Sequence, residues 1–309
     1  MSTSCASYTR RLFLKALAVA SAPVPAVLAM TPLLRRDYRA DAVILLFSLP
    51  IYTREGVGGG FAAARLQDES GQTIESLQFA AGSDPERARG LNRLGFIQET
   101  VKSEGGAPAE TVYTGFMTAS DEQSFAQAKS ALEASAEKLQ YQAIEGQIQS
   151  GAARSRSVRF ETPAAWNWTR FEELYPFAEQ MIRQAAPKGK EVVLYARSAS
   201  RSFLSAIMQT IRDPAEKTEC TFVYGGGEHK LVAEKRGDEK VAKRLAARGL
   251  TRFPERIIAV HGRLQELRGS RGSKFRLWFE KGSDNPLPLR IEFQPKAFLA
   301  LAFEAKTAG

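Results

Sequence analysis

Apolar and polar side chains alternate through most of the chain after residue 218, which is the pattern of strands in a half-buried antiparallel sheet. Each alternating run is bounded by Gly, Asp, Asn or Pro, residues that favour tight turns. The runs predicted as strands are 221–224, 229–234, 256–267, 274–280, 289–293 and 298–304. Six strands joined by short turns indicate an antiparallel meander or an open barrel.

The first half of the chain mixes strand and helix patterns. Strands are predicted at 42–53, 61–66, 73–81 and 112–117, where apolar and β-branched residues recur. The glycine-rich stretch 56–60 predicts a turn between the first two of these strands. Residues 121–149 hold helix formers, no proline and a partial apolar stripe, and they predict an amphipathic helix.

Further helices are predicted at 171–185, 203–211 and 240–248, and one more strand at 192–197. Segment 150–157 is small, polar and basic, which is typical of a linker. The predicted fold class is α+β: mostly antiparallel β, as a curved sheet or open barrel-like meander with several packed helices. The predicted domains are a β-rich segment, 30–150, that ends in the amphipathic helix, and an antiparallel β domain with helices, 157–309.

The N-terminus carries a twin-arginine motif. Thr9 is followed by Arg10 and Arg11, one further residue, and Phe-Leu-Lys. This stretch resembles a Tat signal peptide, and the resemblance implies the Tat translocase as a partner during export. The apolar stretch that follows, 16–28, is too short and too broken by proline for a stable bilayer span.

Small residues before position 30 predict cleavage after Ala29. The signal peptide is then 1–29, and the mature protein is periplasmic or secreted, with no transmembrane anchor. The alternative is an uncleaved amphipathic anchor.

The amino-acid composition excludes several kinds of site. Two cysteines exclude a disulfide scaffold and two histidines exclude a three-histidine metal site, so no metal and no cofactor is predicted.

The formal net charge is +9, and the excess of basic residues lies in the C-terminal half. Its cations alternate with other residues along the predicted strands, as on a solvated sheet face, and an exported protein seldom meets nucleic acid. No nucleic-acid partner is therefore predicted.

Two other patterns invite a chemical interpretation. The available soft or imidazole ligands are Cys220, Glu228, His229 and His261. Strand pairing could bring Cys220 near His229 as a dyad, and a small buried hydrophobic thiol is the alternative. The glycine triplets 58–60 and 225–227 lack the Lys-Ser or Lys-Thr of a phosphate loop, and they predict tight turns or bulges.

The last two predicted strands carry a second resemblance. Residues 285–293 read Asn-Pro-Leu-Pro-Leu-Arg-Ile-Glu-Phe, and 298–304 alternate in polarity. This passage is similar to the last hairpin of the DUF3108-type exported β-proteins, in which two such strands close a curved sheet. Helix 202–212 resembles the short helix of that family, whereas helix 240–248 departs from it. The resemblance implies a curved-sheet fold in the cell envelope, and the family has no assigned catalytic residues.

The densest aromatic cluster of the sequence supplies the candidate ligand-binding residues, which are Trp166, Trp168, Arg170 and Tyr175. Aromatic rings beside an arginine are typical of a cleft that holds an apolar or anionic ligand. A packing junction against the C-terminal sheet is the alternative interpretation. The sequence thus favours a non-catalytic binding or envelope-maintenance module for a lipid-like or anionic envelope ligand.

The competing class is a hydrolase of an envelope polymer. Its acid and base would be carboxylates such as Glu99, Glu161 or Glu292. Two of them would have to face one cleft about 5–10 Å apart for glycoside chemistry. The sequence does not place them relative to one another.

The export prediction is tested by replacing Arg10 and Arg11 with Lys. We expect the precursor to stay in the cytoplasm at full length, because the paired arginines carry the motif. Cell fractionation and N-terminal sequencing compare it with the wild type, which should be shortened and periplasmic. Unchanged export of the double variant would contradict the prediction.

Overall fold

Strands dominate the structure. The computed structural model describes residues 34–46, 49–69, 72–84, 87–88, 94–118, 138–163, 176, 180, 190–194, 201–268, 272–296 and 298–307. The first eight strands are Leu34–Leu46 (β1), Leu49–Glu69 (β2), Gln72–Ser83 (β3), Leu94–Glu104 (β4), Ala107–Thr118 (β5), Lys138–Gln149 (β6), Ala152–Pro163 (β7) and Lys190–Leu194 (β8). The others are Lys217–Tyr224 (β9), Gly227–Gly237 (β10), Ile257–Glu266 (β11), Gly272–Glu280 (β12), Arg290–Lys296 (β13) and Leu299–Ala305 (β14).

All fourteen of these strands belong to one antiparallel sheet. Their order across the sheet is β8-β7-β6-β5-β4-β3-β2-β1-β14-β13-β12-β11-β10-β9. The first strand therefore pairs with the last, with Tyr38 opposite Ala305 and Ile44 opposite Leu299. This pairing joins two meanders, one running from β1 to β8 and the other from β9 to β14.

The two faces of the sheet differ because side chains alternate across each strand. In β12, Phe275, Leu277 and Phe279 are buried in a hydrophobic core that also takes residues from β1, β2, β3, β9, β10, β11 and β14. Lys274, just before Phe275, and Arg276, between Phe275 and Leu277, are exposed on the opposite side. We call the face that carries this core the inner face and the other the outer face.

Glycines allow close strand contact in β2. The predicted turn at 56–60 is wrong, because β2 runs through this segment. A Cβ atom at Gly58 would lie 2.0 Å from the carbonyl oxygen of Gly82 in β3, so only glycine lets the two backbones approach this closely. A bulge interrupts the register just before, where Gly56 has a φ of 61° and its N–H donates to Asp41 Oδ1 at 2.7 Å.

The second glycine triplet forms the predicted turn. Gly225 and Gly226 have φ values of 60° and 80°, and they connect β9 to β10 as a two-residue hairpin. Both positions need the left-handed conformation, which costs glycine nothing. The prediction of a tight turn at 225–227 is thus confirmed.

The sheet curls until its two ends touch through side chains. Val223 of β9 is buried together with Tyr113 of β5 and Ile148 of β6, which lie at the other end of the strand order. A Cβ atom at Gly226 would lie 3.0 Å from Ser155 Oγ in β7. Packing rather than a backbone ladder therefore closes the structure between β8 and β9, within the residues described.

Two α-helices that lie wholly within the described residues pack on the sheet, one on each face. Helix α1 (Phe203–Arg212) contacts β3, β4 and β9 on the inner face. Helix α2 (Glu239–Ala247) covers Trp278 on the outer face and begins after Asp238. Asp238 Oδ1 accepts the N–H of Val241 at 3.1 Å, and its Oδ2 accepts the indole N–H of Trp278 at 3.0 Å. The predicted helices at 203–211 and 240–248 are thus confirmed.

The prediction of an α+β fold with several packed helices is wrong, because the part of the chain that the structure describes is mostly antiparallel strand. The amphipathic helix at 121–149 fails where it can be examined, since 138–149 is β6. Ile144, Gly146 and Ile148 alternate there with polar residues, and pairing with β5 and β7 outweighs the helix propensity of Gln and Glu. Residues 119–137 lie outside the described residues, as does most of the predicted helix 171–185.

The linker prediction at 150–157 is also wrong. Ser150 and Gly151 have φ values of 51° and 75° and form the turn from β6 to β7, which begins at Ala152. The small, polar residues suit a hairpin turn as well as a linker, so the composition alone does not separate the two. No helix among the described residues is long and apolar enough to cross a membrane.

The close contact of β2 and β3 predicts a large cost for Gly58→Ala. The obstacle is a backbone oxygen that cannot move without breaking the ladder, so we expect the free energy of unfolding to fall by about 3 kcal/mol. Gly237→Ala in β10 is the matched control: no atom lies within 4 Å of its Cβ position. Its effect should stay within about 1 kcal/mol. Urea unfolding followed by circular dichroism measures both, and equal losses would contradict the steric argument.

Candidate functional site

The curled inner face and α1 form the walls of a cavity of about 980 Å³ that is open to solvent. Eight of the chain's 18 phenylalanines line it, so its wall is largely aromatic. They are Phe79, Phe96, Phe116, Phe203, Phe222, Phe275, Phe293 and Phe303. Both meanders and the helix contribute to this set, so the cavity forms only when the sheet curls. Its size falls at the upper end of small-molecule sites, about 300–1,000 Å³.

Helix α1 forms one wall of the cavity. Phe203, Leu204 and Ile207 face the cavity, whereas Ala206 and Met208 are buried in the core behind them. The helix is amphipathic: its apolar residues form a broad face, and Ser205, Gln209 and Arg212 lie together on the other side. The helix therefore divides the interior into a packed core and an open space.

Ring packing holds the aromatic wall together. The ring centroids of Phe96 and Phe116 are 5.6 Å apart, on the neighbouring strands β4 and β5. Those of Phe203 and Phe222 are 5.9 Å apart, which ties the start of α1 to β9. Tilted aromatic pairs at these distances are favourable beyond the surface that they bury. The wall is thus formed before any ligand arrives.

One end of the cavity is polar. The His229 ring stacks on Phe222, with centroids 5.0 Å and planes 18° apart, and its Nε2 lies 3.3 Å from the carbonyl oxygen of Tyr224. Glu266 lies opposite His229 in the β10–β11 register, and it lines the cavity together with Ser273. The arrangement suits a molecule with an apolar body and one polar group.

A buried carboxylate attaches α1 to the sheet. Glu99 of β4 is fully buried. Its Oε1 accepts the N–H of Leu204 at 2.5 Å, and its Oε2 accepts the N–H of Ser205 at 2.8 Å. These are N–H groups of the first turn of α1, which have no partner within the helix. A carboxylate at a helix N-terminus is also favoured by the helix dipole.

Burial dominates the titration of Glu99. Removal from water raises its pKa to about 7, against the lowering effect of the hydrogen bonds from Leu204 and Ser205. Burial also raises the pKa values of two nearby tyrosines. The pKa of Tyr113 is raised to about 12, and that of Tyr224 is raised as well. Burial therefore makes the Glu99 carboxyl a weaker acid than an exposed glutamate.

The outer face has a second, charged concavity of about 780 Å³ beside α2. Its floor is a chain of ion pairs in which arginines and glutamates alternate. Arg290 Nη1 is 2.7 Å from Glu304 Oε2 and its Nη2 is 2.7 Å from Glu292 Oε1. Arg248 also pairs with Glu304, and Arg276 with Glu292. Each carboxylate thus holds two guanidinium groups, which leaves it little capacity for a substrate.

The positive groups of this concavity also affect the pKa of His261. Burial lowers the pKa of His261, and the nearby Arg276 and Arg236 lower it further. Its imidazole is therefore biased toward the neutral form. Because His261 lies on the outer face and His229 lines the inner cavity, the two histidines of the chain do not share a site.

The predicted ligand-binding residues Trp166, Trp168, Arg170 and Tyr175 lie outside the described residues. The cavity is therefore built from other residues. Sequence reasoning missed these because a phenylalanine at an alternating strand position looks like an ordinary core residue. The one available signal was the preference for Phe over Val or Leu at such positions.

Two carboxylates of the hydrolase alternative, those of Glu99 and Glu292, lie on opposite faces of the sheet. Glu99 is on the inner face at the start of α1, whereas Glu292 is on the outer face between two arginines. Glu161 belongs to β7, where it lies opposite Gln140. Glu99 and Glu292 therefore cannot flank one bond of a substrate.

The Cys/His pattern also gives no metal site. Cys220 lies opposite Leu231 in the β9–β10 register, while His229 lies opposite Phe222. Burial raises the pKa of the Cys220 thiol, which favours its protonated form. No group of three potential metal ligands occurs among the described residues.

The comparison with solved structures gives a structural likeness, whereas the two comparisons of sequence give none. No family model matches this chain. No curated protein matches it either. It is similar to the crystal structure of a β-barrel-like protein of the domain of unknown function DUF1849 from Brucella abortus, at 7% sequence identity and a TM-score of 0.45. The similarity covers 88% of this chain and 94% of that chain.

The buried carboxyl predicts a pH-dependent stability. The pKa of Glu99 is about 7 in the folded protein and 4.5 when unperturbed, so the folded state holds the extra proton between these values. Stability should therefore fall as the pH rises from about 4.5 to 7. Glu99→Gln removes this titration.

Urea unfolding at a series of pH values measures the effect. The stability of the wild type relative to Glu99→Gln should decrease steadily across the interval. Glu99→Leu, which removes the helix contacts as well, should be less stable than Glu99→Gln and have the same pH profile. Parallel profiles for the wild type and Glu99→Gln would show that Glu99 does not titrate there.

Proposed function

We propose that this protein binds an apolar or amphipathic small molecule of the lipid class in the inner cavity, as a non-catalytic module of the cell envelope. The observation that carries the proposal is the wall of eight phenylalanines around an open space, with polar side chains at one end. The transfer of an apolar ligand from water into a cavity lined by apolar atoms lowers the free energy. The twin-arginine motif supports export as the route to the envelope.

The expected affinity is moderate. Burial of about 300 Å² of ligand surface at about 25 cal/mol/Å² corresponds to about 7 kcal/mol before costs. Loss of ligand translation and rotation offsets part of this, which gives a dissociation constant in the micromolar range or weaker. The ring pairs and the anchored helix reduce the cost on the protein side, because the wall is already ordered.

The ligand has a preferred orientation in this proposal. Its apolar body lies among the phenylalanines, and its polar group lies near His229, Glu266 and Ser273. The imidazole and the hydroxyl both donate and accept hydrogen bonds, and the carboxylate accepts them. Fatty acids and lysophospholipids have this shape and are the first probes to use.

The hydrolase alternative has weaker support. Both oxygens of Glu99 accept hydrogen bonds from α1, and Glu292 is held by Arg276 and Arg290. A general acid or base must reach a proton of the substrate directly or through one water. Neither carboxylate has a free path to a shared cleft.

A cavity-filling variant tests the binding proposal. Ala81 of β3 lines the cavity, and Ala81→Trp places an indole in the space that the ligand would occupy. Val112→Trp is the control, because Val112 is 41% exposed on β5 and does not line the cavity. We expect the wild type and Val112→Trp to bind with similar micromolar affinity and Ala81→Trp to bind at least about tenfold more weakly.

Displacement of the neutral fluorescent probe N-phenyl-1-naphthylamine by a fatty acid or a lysophospholipid gives the affinities. Native mass spectrometry of the purified protein adds a search for a co-purified lipid. Absence of saturable binding in the wild type, or equal binding in Ala81→Trp, would overturn the proposal.

A further inference from the structure

Several turns lie at the same end of the sheet. β1 and β14 pair up to Ile44 and Leu299, and beyond them the N–H of Leu45 donates to the carbonyl oxygen of Phe298 at 2.8 Å. The β1–β2 and β13–β14 turns are therefore neighbours. The β11–β12 and β9–β10 turns lie at this end as well, because the antiparallel registers run continuously from β14 to β9. We call this end the rim.

Large apolar side chains are exposed at the rim. Ile51 is 61% exposed, Phe298 59% and Tyr52 54%. Leu267, after β11, is 47% exposed. Contact of such large apolar side chains with water is unfavourable. A group of them at one end of a protein therefore marks an interaction surface.

The cavity opens at the same end. Met117 lines the cavity near the end of β5 and is also 44% exposed, so it connects the wall with the solvent. The polar lining residues Glu266 and Ser273 flank the β11–β12 turn. A surface that docked on the rim would therefore cover the mouth of the cavity.

Cations flank the exposed apolar residues. Arg54 follows Tyr52 on β2, and Arg268 follows Leu267. Lys274 lies near the start of β12. None of the three pairs with a carboxylate among the residues that the structure describes. The nearby Glu55 is 3.7 Å from Arg39, which partly neutralises it.

We infer that the rim docks on the surface of an anionic phospholipid bilayer. Aliphatic and aromatic side chains on turns can enter the headgroup region, where an amphipathic ring such as that of Tyr52 is favoured. Lysine and arginine beside them are attracted to anionic lipids. The excess of basic over acidic residues, which remains when residues 1–29 are left out, acts in the same direction over longer distances. Docking in this orientation turns the cavity mouth toward the lipid and does not require that the cavity be filled.

Vesicle binding of the full chain tests this inference. Co-sedimentation with vesicles of phosphatidylcholine alone and of phosphatidylcholine mixed with phosphatidylglycerol measures the bound fraction. The double variant Ile51→Asp, Phe298→Asp places charges on the rim. We expect its affinity for the mixed vesicles to fall by at least about tenfold, because two large apolar contacts are lost.

The matched control is Leu66→Asp. Leu66 is 54% exposed, as Tyr52 is, but lies toward the opposite end of β2. This variant should bind vesicles as the wild type does. All variants have the same N-terminus, so any contribution of residues 1–29 cancels in the comparison.

A second pair of changes isolates the charge. Arg268→Gln, Lys274→Gln should remove most of the preference for phosphatidylglycerol, and added salt should do the same to the wild type. Displacement of the naphthylamine probe, measured without vesicles, shows separately whether each variant folds and still binds ligand.

Three outcomes would overturn the inference: no vesicle binding by the wild type, equal binding by the rim variant, or an equal loss in Leu66→Asp. Self-association through the rim without vesicle binding would do so too, because it would identify a second copy of the chain as the occupant. None of these results depends on whether the cavity binds a ligand.

Discussion

The Glu99 carboxylate holds the N-terminal end of α1 against β4, and the shape of the inner space depends on this contact. Desolvation of the carboxylate costs free energy, as its raised pKa shows, and the two backbone N–H groups of the helix offset only part of that cost. The apolar side of α1 adds to this contact, because Ala206, Met208 and Ile211 are buried in the core of the inner face. The contact fixes Phe203, Leu204 and Ile207 at one wall of the cavity. A loss of this anchor would let the helix settle into the open space.

The closure of the sheet is the second constraint. An antiparallel sheet of this width twists and coils, and its two ends meet on the inner side. They meet here by packing: Val223 lies among side chains of β5, β6 and β7, and the Tyr113 and Tyr224 rings are 5.6 Å apart. Glycine makes room for this contact, because the Tyr113 ring lies over Gly146 at a distance that no Cβ would allow.

The alternation of the strands also separates two kinds of chemistry. Apolar and aromatic positions collect on the inner face, while the Arg–Glu network built around Arg290 occupies the outer face beside α2. Each face alone would suggest a different protein, a lipid binder or a charged surface. The placement of Glu99 and Glu292 on opposite faces, with their oxygens already bonded, argues against shared catalysis. The proposed binding on the inner face requires access to the cavity, and Met117, which both lines the cavity and is exposed, lies at the rim.

The sequence by itself determined the strand periodicity of the C-terminal half, the turn at Gly225 and the two helices α1 and α2, because these follow from local propensity, caps and alternation. It did not reveal that 138–149 is a strand, since Gln and Glu favour a helix until β5 and β7 supply partners. It could not reveal the cavity either, because the contact of Glu99 with α1 spans more than one hundred residues of chain. Whether a phenylalanine fills a core or lines a space depends on how far the sheet curls. That curvature is decided by packing between distant strands, and only the tertiary structure contains it.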